Sequence, residues 1–140
     1  MFLKKEPFTF NGESLTVFEL SALQRIEFLE FLAREEKVLD NDREKLSDQE
    51  MTARLVGMNI SAGAYVIAQS LWHNDKTGPK VDELHQQVML EWPAEAIGKA
   101  EMQIKLLSGM LPPVAEPDDG KSGEDATNAS SDEPVTAEKP

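Results

Sequence analysis

LSDQEMTARLVGMNISAGAYVIAQSLW, residues 46–72, decides the fold. Ser47 and Glu50 stand at the two positions of a capping box, in which the hydroxyl accepts from the Glu50 amide and the carboxylate reaches back to the Ser47 amide. Leu46 and Met51 occupy the matching positions of a hydrophobic staple. The pattern predicts a helix from residue 48 to about residue 72. Its interior holds Gly57 and Gly63 beside Ala62, Ala64 and Ala68. A glycine inside a helix costs about 0.5–1 kcal/mol relative to alanine. The compensation expected here is close helix–helix approach, because small residues let backbones come together. The apolar stretch 55–72 is interrupted by Asn59, Ser61, Gln69 and Ser70. It therefore reads as a buried helix and not as a membrane span.

On the N-terminal side, Phe8, Phe10, Leu15 and Val17 flank Asn11-Gly12. That pair accommodates positive φ and favours a tight hairpin, with strands at about 6–10 and 14–18. A lone hairpin is marginal, so it must pack on helices. Ser21 and Gln24 form another capping box and open a helix that runs to about Leu39. Leu23, Ile26, Leu29 and Ala33 read as its apolar stripe, widened by Phe28, Phe31 and Leu32, so that the helix is expected to bury more than one face. Glu27, Glu30, Arg34, Glu36 and Lys37 supply the wet side, and Asp40-Asn41-Asp42 is expected to end the helix. On the C-terminal side, residues 74–79 read as loop. A third helix is expected over about 81–91, with Val81, Leu84, Val88 and Trp92 on one side. Pro93 suits the first position of a fourth helix. That helix carries Ile97, Ala100, Ile104 and Leu107, and Gly109 is its left-handed terminator.

The character of the chain changes at Leu111-Pro112-Pro113. Residues 112–140 have no aromatic residue, only Val114 and Val135 as large aliphatics, and eight carboxylates against Lys121 and Lys139. Such a segment buries too little apolar surface to offset the entropy of ordering it. The expected architecture is mainly α, a small N-terminal β-hairpin packed on a four-helix domain (residues 1–111), followed by a disordered acidic C-terminal tail or linker (residues 112–140). The net charge of −12 is shared equally between the two segments and argues against nucleic-acid binding. No cysteine is present, which removes disulfide and thiolate chemistry. The opening MFLKKEPFTF has no apolar run long enough for a signal peptide, and no membrane partner is expected.

Little in the chain points to catalysis. Asp82 and His85 lie one helical turn apart, as in some metal-binding bundles, but no second such pair exists to complete a site. They read as an exposed polar face. His73, near a helix end, reads as a protonated ring complementing the dipole. Nucleophile elbow, phosphate-binding loop and dinucleotide fingerprint are all missing. The expectation is no catalytic residue, no metal and no cofactor. Trp72 and Trp92 sit at helix-to-loop junctions, where they either pin loop ends to the core or anchor a partner. Phe28 and Phe31 are read as facing different sides of their helix, leaving at least one for assembly. Phe28, Phe31, Trp72 and Trp92 are thus the candidate partner-binding residues.

Five strings occur in order and in register: Met1-Phe2-Leu3-Lys4, Glu19-Leu20-Ser21-Ala22-Leu23-Gln24-Arg25-Ile26-Glu27, Ser70-Leu71-Trp72-His73-Asn74, Trp92-Pro93 with Glu95-Ala96-Ile97, and Leu107-Ser108-Gly109-Met110. Together they resemble the minor tail protein G family of lambda-like tailed phages. The likeness covers about 1–111 and is weakest over residues 32–58. It implies a tail assembly chaperone of the host cytoplasm that coats and solubilises the tape measure protein and is absent from the finished virion. It also implies a longer fusion made by −1 ribosomal frameshifting, whose downstream T part recruits the tail tube protein, and it allows self-association along the tape measure. Slippage would fall at a lysine codon, with Gly120-Lys121 and Glu138-Lys139 as candidates. Two readings compete: a small helical adaptor or regulator with an acidic arm, and a small metal-dependent hydrolase using Asp82 and His85.

Overall fold

The computed structural model describes residues 2–111. The acidic segment 112–140 and the candidate slippage positions at Lys121 and Lys139 lie outside the described residues, as does the boundary drawn between 111 and 112. The element order is β1 (Lys5–Phe10), β2 (Glu13–Phe18), α1 (Ala22–Asp42), α2 (Asp48–Leu71), α3 (Val81–Glu91) and α4 (Ala94–Leu107). Short 3-10 turns at Arg43–Lys45 and Trp72–Asn74 close α1 and α2. This is the mainly helical, hairpin-plus-four-helix architecture expected.

Helix α2 is the axis of the domain and packs against α1, α3, α4 and β2. Residues 62–70 are buried without interruption. A helix surrounded on all sides needs apolar or small residues nearly all round, and this segment supplies them except at Gln69. The preceding half is different: Leu55 and Val56 are exposed. Both predicted capping boxes form. Ser47 Oγ accepts from the Glu50 amide at 3.1 Å, and Ser21 Oγ from the Gln24 amide at 3.2 Å.

The two small-residue positions in α2 divide. A Cβ placed on Gly63 would lie 2.6 Å from Glu101 Oε1 and 3.1 Å from Ile97 Cγ2, so α4 closes against this spot. At Gly57 nothing lies within 4 Å. Close approach therefore explains Gly63 and fails for Gly57, which sits on the uncovered half of α2.

Asn11 (φ 50°) and Gly12 (φ 81°) both adopt positive φ, as a two-residue hairpin turn with right-handed twist requires. The register pairs Phe10 with Glu13 and Phe8 with Leu15. The hairpin is held to the helices partly by side chains that hydrogen-bond its backbone. Ser70 Oγ accepts from the Phe18 amide at 2.6 Å. Asn74 Nδ2 donates to the Thr16 carbonyl at 2.9 Å, and Gln103 Nε2 to the Pro7 carbonyl at 2.9 Å.

Two boundaries move. Helix α1 continues through Asp40-Asn41-Asp42 instead of ending before it. Two of those side chains are engaged elsewhere: Asp40 pairs with Arg43 and Asp42 with Arg54, each at 3.0 Å. Occupied in this way, they do not compete for the backbone. Pro93 is the N-cap of α4 and not its first helical residue. At the other end the expected terminator holds. Gly109 has φ +68°, and the Met110 and Gly109 amides donate to the Lys105 and Leu106 carbonyls, a Schellman motif.

Substituting the two glycines should give opposite signs. Gly63→Ala is expected to lower stability by about 1 kcal/mol or more through overpacking against α4. Gly57→Ala should raise it by about 0.5–1 kcal/mol through helix propensity. Urea-unfolding midpoints of the two variants beside the parent check this.

Candidate functional site

Helix α1 turns about 100° per residue, and its buried residues Gln24, Phe28, Phe31 and Leu39 share one side. Leu23, Ile26 and Leu29 lie on the opposite side and are 63%, 54% and 62% exposed. Ala33 continues that row and is exposed too. The helix therefore buries one face and not more than one: the stripe expected to face the core faces out, and Phe28 and Phe31, expected to widen it, lie in the core.

A polar contact sets this rotation. Gln24 is buried and reaches α2: its Nε2 donates to the Gln69 carbonyl at 2.8 Å, and Gln69 Nε2 donates to the Gln24 carbonyl at 2.8 Å. Gln24 Oε1 accepts from the Ser21 amide at 3.1 Å and meets His73 Nε2 at 2.9 Å. The acceptor is an amide oxygen, so the His73 ring carries its proton on Nε2. Burial, reinforced by the Lys76 charge, lowers the His73 pKa below the ordinary 6.5. His73 thus joins the end of α2 to the start of α1, where burial works against the protonated cap expected. Gln69 Oε1 has no hydrogen-bond partner among the described residues.

The four candidate partner-binding residues separate into two pairs. Phe28 and Phe31 are both buried. Three positions along a helix are 60° apart, so they share a face instead of dividing between two. Phe31 stacks on Tyr65 with ring centroids 4.2 Å apart, and Lys105 Nζ lies 5.4 Å from the Phe28 ring centre. Trp72 and Trp92 are half-buried. Trp92 stacks on Phe8 at 6.0 Å, nearly parallel, and lines an open cleft of about 290 Å³ with Phe10, Leu15 and Pro93. Trp72 meets the His73 ring edge-on at 5.1 Å, with Lys76 Nζ 5.8 Å from its centre. The structure does not gather the four into one site.

Nor does it build a centre from Asp82 and His85. His85 Nε2 lies 3.0 Å from the Ser61 carbonyl, and its ring stands edge-on to Phe31 and Tyr65. Asp82 is exposed. No group of three or more His, Asp or Glu placed to hold a metal occurs among the described residues, and no helix there is long and apolar enough to cross a membrane.

What the molecule does offer is apolar surface carried on helices. Besides the α1 stripe, Leu55 and Val56 on α2, Leu90 on α3, and Met102 and Leu106 on α4 are exposed. Exposed apolar side chains thus occur on each of the four helices. The chain belongs to the bacteriophage lambda tail assembly chaperone family, protein G, whose family profile matches residues 1–131. It is 40% identical over 148 residues to tail assembly protein G of Escherichia phage N15, covering 100% of this chain and 97% of that protein. To tail assembly protein G of Escherichia phage lambda it is 39% identical, covering 99% and 96%. It is also 39% identical to tail assembly protein GT of phage N15, of which it spans only 54%. No solved structure matches. The family is one of tail assembly chaperones and not a class of enzymes.

Two outcomes follow from the α1–α2 junction. Gln24→Leu should lower stability by about 1–3 kcal/mol, because it strands the buried Gln69 carbonyl contact, the Ser21 amide and His73 together. Gln24→Leu with Gln69→Leu should lose more than either change alone, since each amide serves the other residue's backbone carbonyl and neither substitution removes the groups that the other strands; a double-mutant cycle measures it. For His73 the folded pKa lies below the unfolded one. The stability supported by its neutral ring is complete above about pH 6.5 and is lost as pH falls through the folded value. The melting-temperature advantage of the parent over His73→Gln should therefore shrink between about pH 7.5 and about pH 5.5.

Proposed function

We propose that this chain binds and solubilises the tape measure protein during phage tail assembly, in the host cytoplasm, and leaves before the virion is complete. A tape measure is a long, largely helical, aggregation-prone chain, and shielding it calls for helical apolar surface on a soluble carrier. The observation that carries the reading is the exposure of large apolar side chains on all four helices of a family member with net charge −12. Trp72 and Trp92 keep ring surface open to solvent and serve as partner contacts. Phe28 and Phe31 act from within, by fixing α1 against Tyr65 and Lys105.

The chain is also made as a longer G–T fusion by −1 frameshifting, whose added part recruits the tail tube protein. The GT relative, about half of which this chain spans, supports that reading. Copies associate with one another along the tape measure. The protein transforms no substrate and needs no cofactor.

Co-expression of the full chain with a tape measure protein tests the reading. The tape measure protein should stay in the soluble fraction and co-purify with this chain, and should precipitate when expressed alone. Equal solubility with and without the chain overturns the proposal.

A further inference from the structure

Five rings of this chain each carry a cation of the chain's own. Lys5 lies over Phe18, Arg34 over Phe31, Lys76 over Trp72, Lys99 over Phe10 and Lys105 over Phe28, with the charge 5.4–6.0 Å from the ring centre. Trp92 has no such cation among the described residues, although indole is the ring that attracts one most strongly. It is half-buried and lines the open cleft of about 290 Å³.

The charged residues that line this cleft are both acidic. Glu13, the first residue of β2, and Glu91, the last of α3, stand at it, and no lysine or arginine does among the described residues. Both are exposed, and neither forms an ion pair among the described residues. Lys99, the cation over Phe10, is paired with Glu95 at 3.1 Å, so ring, carboxylate and cation there all come from this chain. At Trp92 the chain supplies the ring and two carboxylates but no cation of its own. The ring is also held in place. It stacks on Phe8 at 6.0 Å with the planes 5° apart, and Phe8, itself buried, stacks on Phe10 at 6.5 Å. A ring fixed beforehand receives a partner at little ordering cost.

Size and chemistry name the occupant. A cleft of about 290 Å³ admits one long side chain and not a helix. A guanidinium suits it better than an ammonium: it is planar, stacks on indole, presents its N–H groups to carboxylates in the ring plane and is more weakly hydrated. Leu15 and Pro93 give an apolar wall that an arginine's methylene stem covers and a small free cation does not.

We propose that the Trp92 cleft is a docking site for an arginine side chain on a basic, extended segment of a partner protein, with the guanidinium stacked on the indole and paired with Glu13 and Glu91. This gives the chemistry of one partner contact. It rests on the reading of Trp92 as such a contact and not on the identity of the client. The net charge of −12 draws basic segments towards the chain, and the cleft then selects among them. One side chain holds weakly, with a dissociation constant on the order of 1 mM.

Titration of the isotope-labelled full chain with an acetylated, amidated peptide of four Arg-Gly repeats, followed on the two indole N–H resonances by NMR, is the test. Trp92→Phe identifies the Trp92 resonance, and Trp72, whose ring already holds Lys76, is the internal reference. The Trp92 resonance should move saturably and the Trp72 resonance should stay. A Lys-Gly peptide of the same length should bind about three- to tenfold more weakly. A peptide with citrulline, neutral and of the same shape, in place of arginine should not bind measurably. Glu13→Gln and Glu91→Gln, at exposed positions, should each weaken binding about two- to fivefold with the melting temperature unchanged.

Movement of both indoles alike, or of neither, overturns the site. Equal binding of the citrulline peptide overturns a cationic occupant, and equal binding of the lysine peptide overturns the choice of arginine. Indifference to both glutamate substitutions overturns the role of the carboxylates. A proline-rich peptide that moves the Trp92 resonance where the arginine peptide does not assigns the cleft to extended proline segments and overturns the proposal. Each of these outcomes leaves solubilisation of the tape measure protein standing, and failure to solubilise that client leaves the titration unaffected.

Discussion

The reciprocal contact between Gln24 and Gln69 is the constraint on which the placement of α1 depends. Helix α1 carries two apolar faces, one with Phe28, Phe31, Leu32 and Leu39, the other with Leu23, Ile26, Leu29 and Ala33. Hydrophobic burial alone is non-directional and discriminates poorly between them. Two buried amides discriminate sharply. With α1 rotated by half a turn, Gln24 would leave α2, and Gln69, fully buried, would lose the acceptor for its Nε2. An unpaired buried amide costs about 1–3 kcal/mol, comparable to burying a leucine side chain. The polar pair therefore selects the face, and the aromatic stack of Phe31 on Tyr65 then supplies the bulk of the packing.

The same economy places the hairpin. A two-stranded sheet leaves the backbone groups of both outer edges without ladder partners. Here side chains of the helical part reach several of them: Gln103 from α4 at Pro7, Asn74 at Thr16, and Ser70 from α2 at Phe18. Ser108 does likewise for the strand-to-helix link, accepting from the Leu20 amide at 2.9 Å while donating to the Ile104 carbonyl at 2.7 Å. Polar residues that interrupt otherwise apolar helices thus dock the N-terminal hairpin. Ser70, which in the sequence only argued against a membrane span, is fully buried for that reason.

What the sequence made legible was local. The Asn-Gly turn, both capping boxes, the α4 seam of Ile97, Ala100, Ile104 and Leu107, and the Gly109 terminator are each decided within a few residues, and each stands. What it concealed was relational. Which face of α1 is buried depends on a partner forty-five positions away. His73 was read from its place near a helix end, yet its environment is set by Gln24 across the junction. Two complete apolar faces on one helix were the available signal: only one can meet a single neighbouring core, and the other is left for a different surface. A spacing of three between Phe28 and Phe31 was likewise enough to place them together.

The size of the exposed stripes also limits how such a chaperone can work. Leu23, Ile26 and Leu29 are each a little over half exposed, so covering them stabilises a complex by about 1 kcal/mol apiece. Three such side chains give less than the roughly 4–15 kcal/mol lost when two free molecules become one. One copy acting through one stripe cannot hold a partner tightly. Several copies on one long client, each engaged through a modest surface and touching its neighbour, escape that limit, because every contact after the first forms at high effective concentration. Weak individual surfaces then become useful: they can be shed one at a time once a competing structure takes over the client. Apolar residues spread over four helices, within a strongly acidic chain, are consistent with that regime, in which single copies stay soluble and arrays bind.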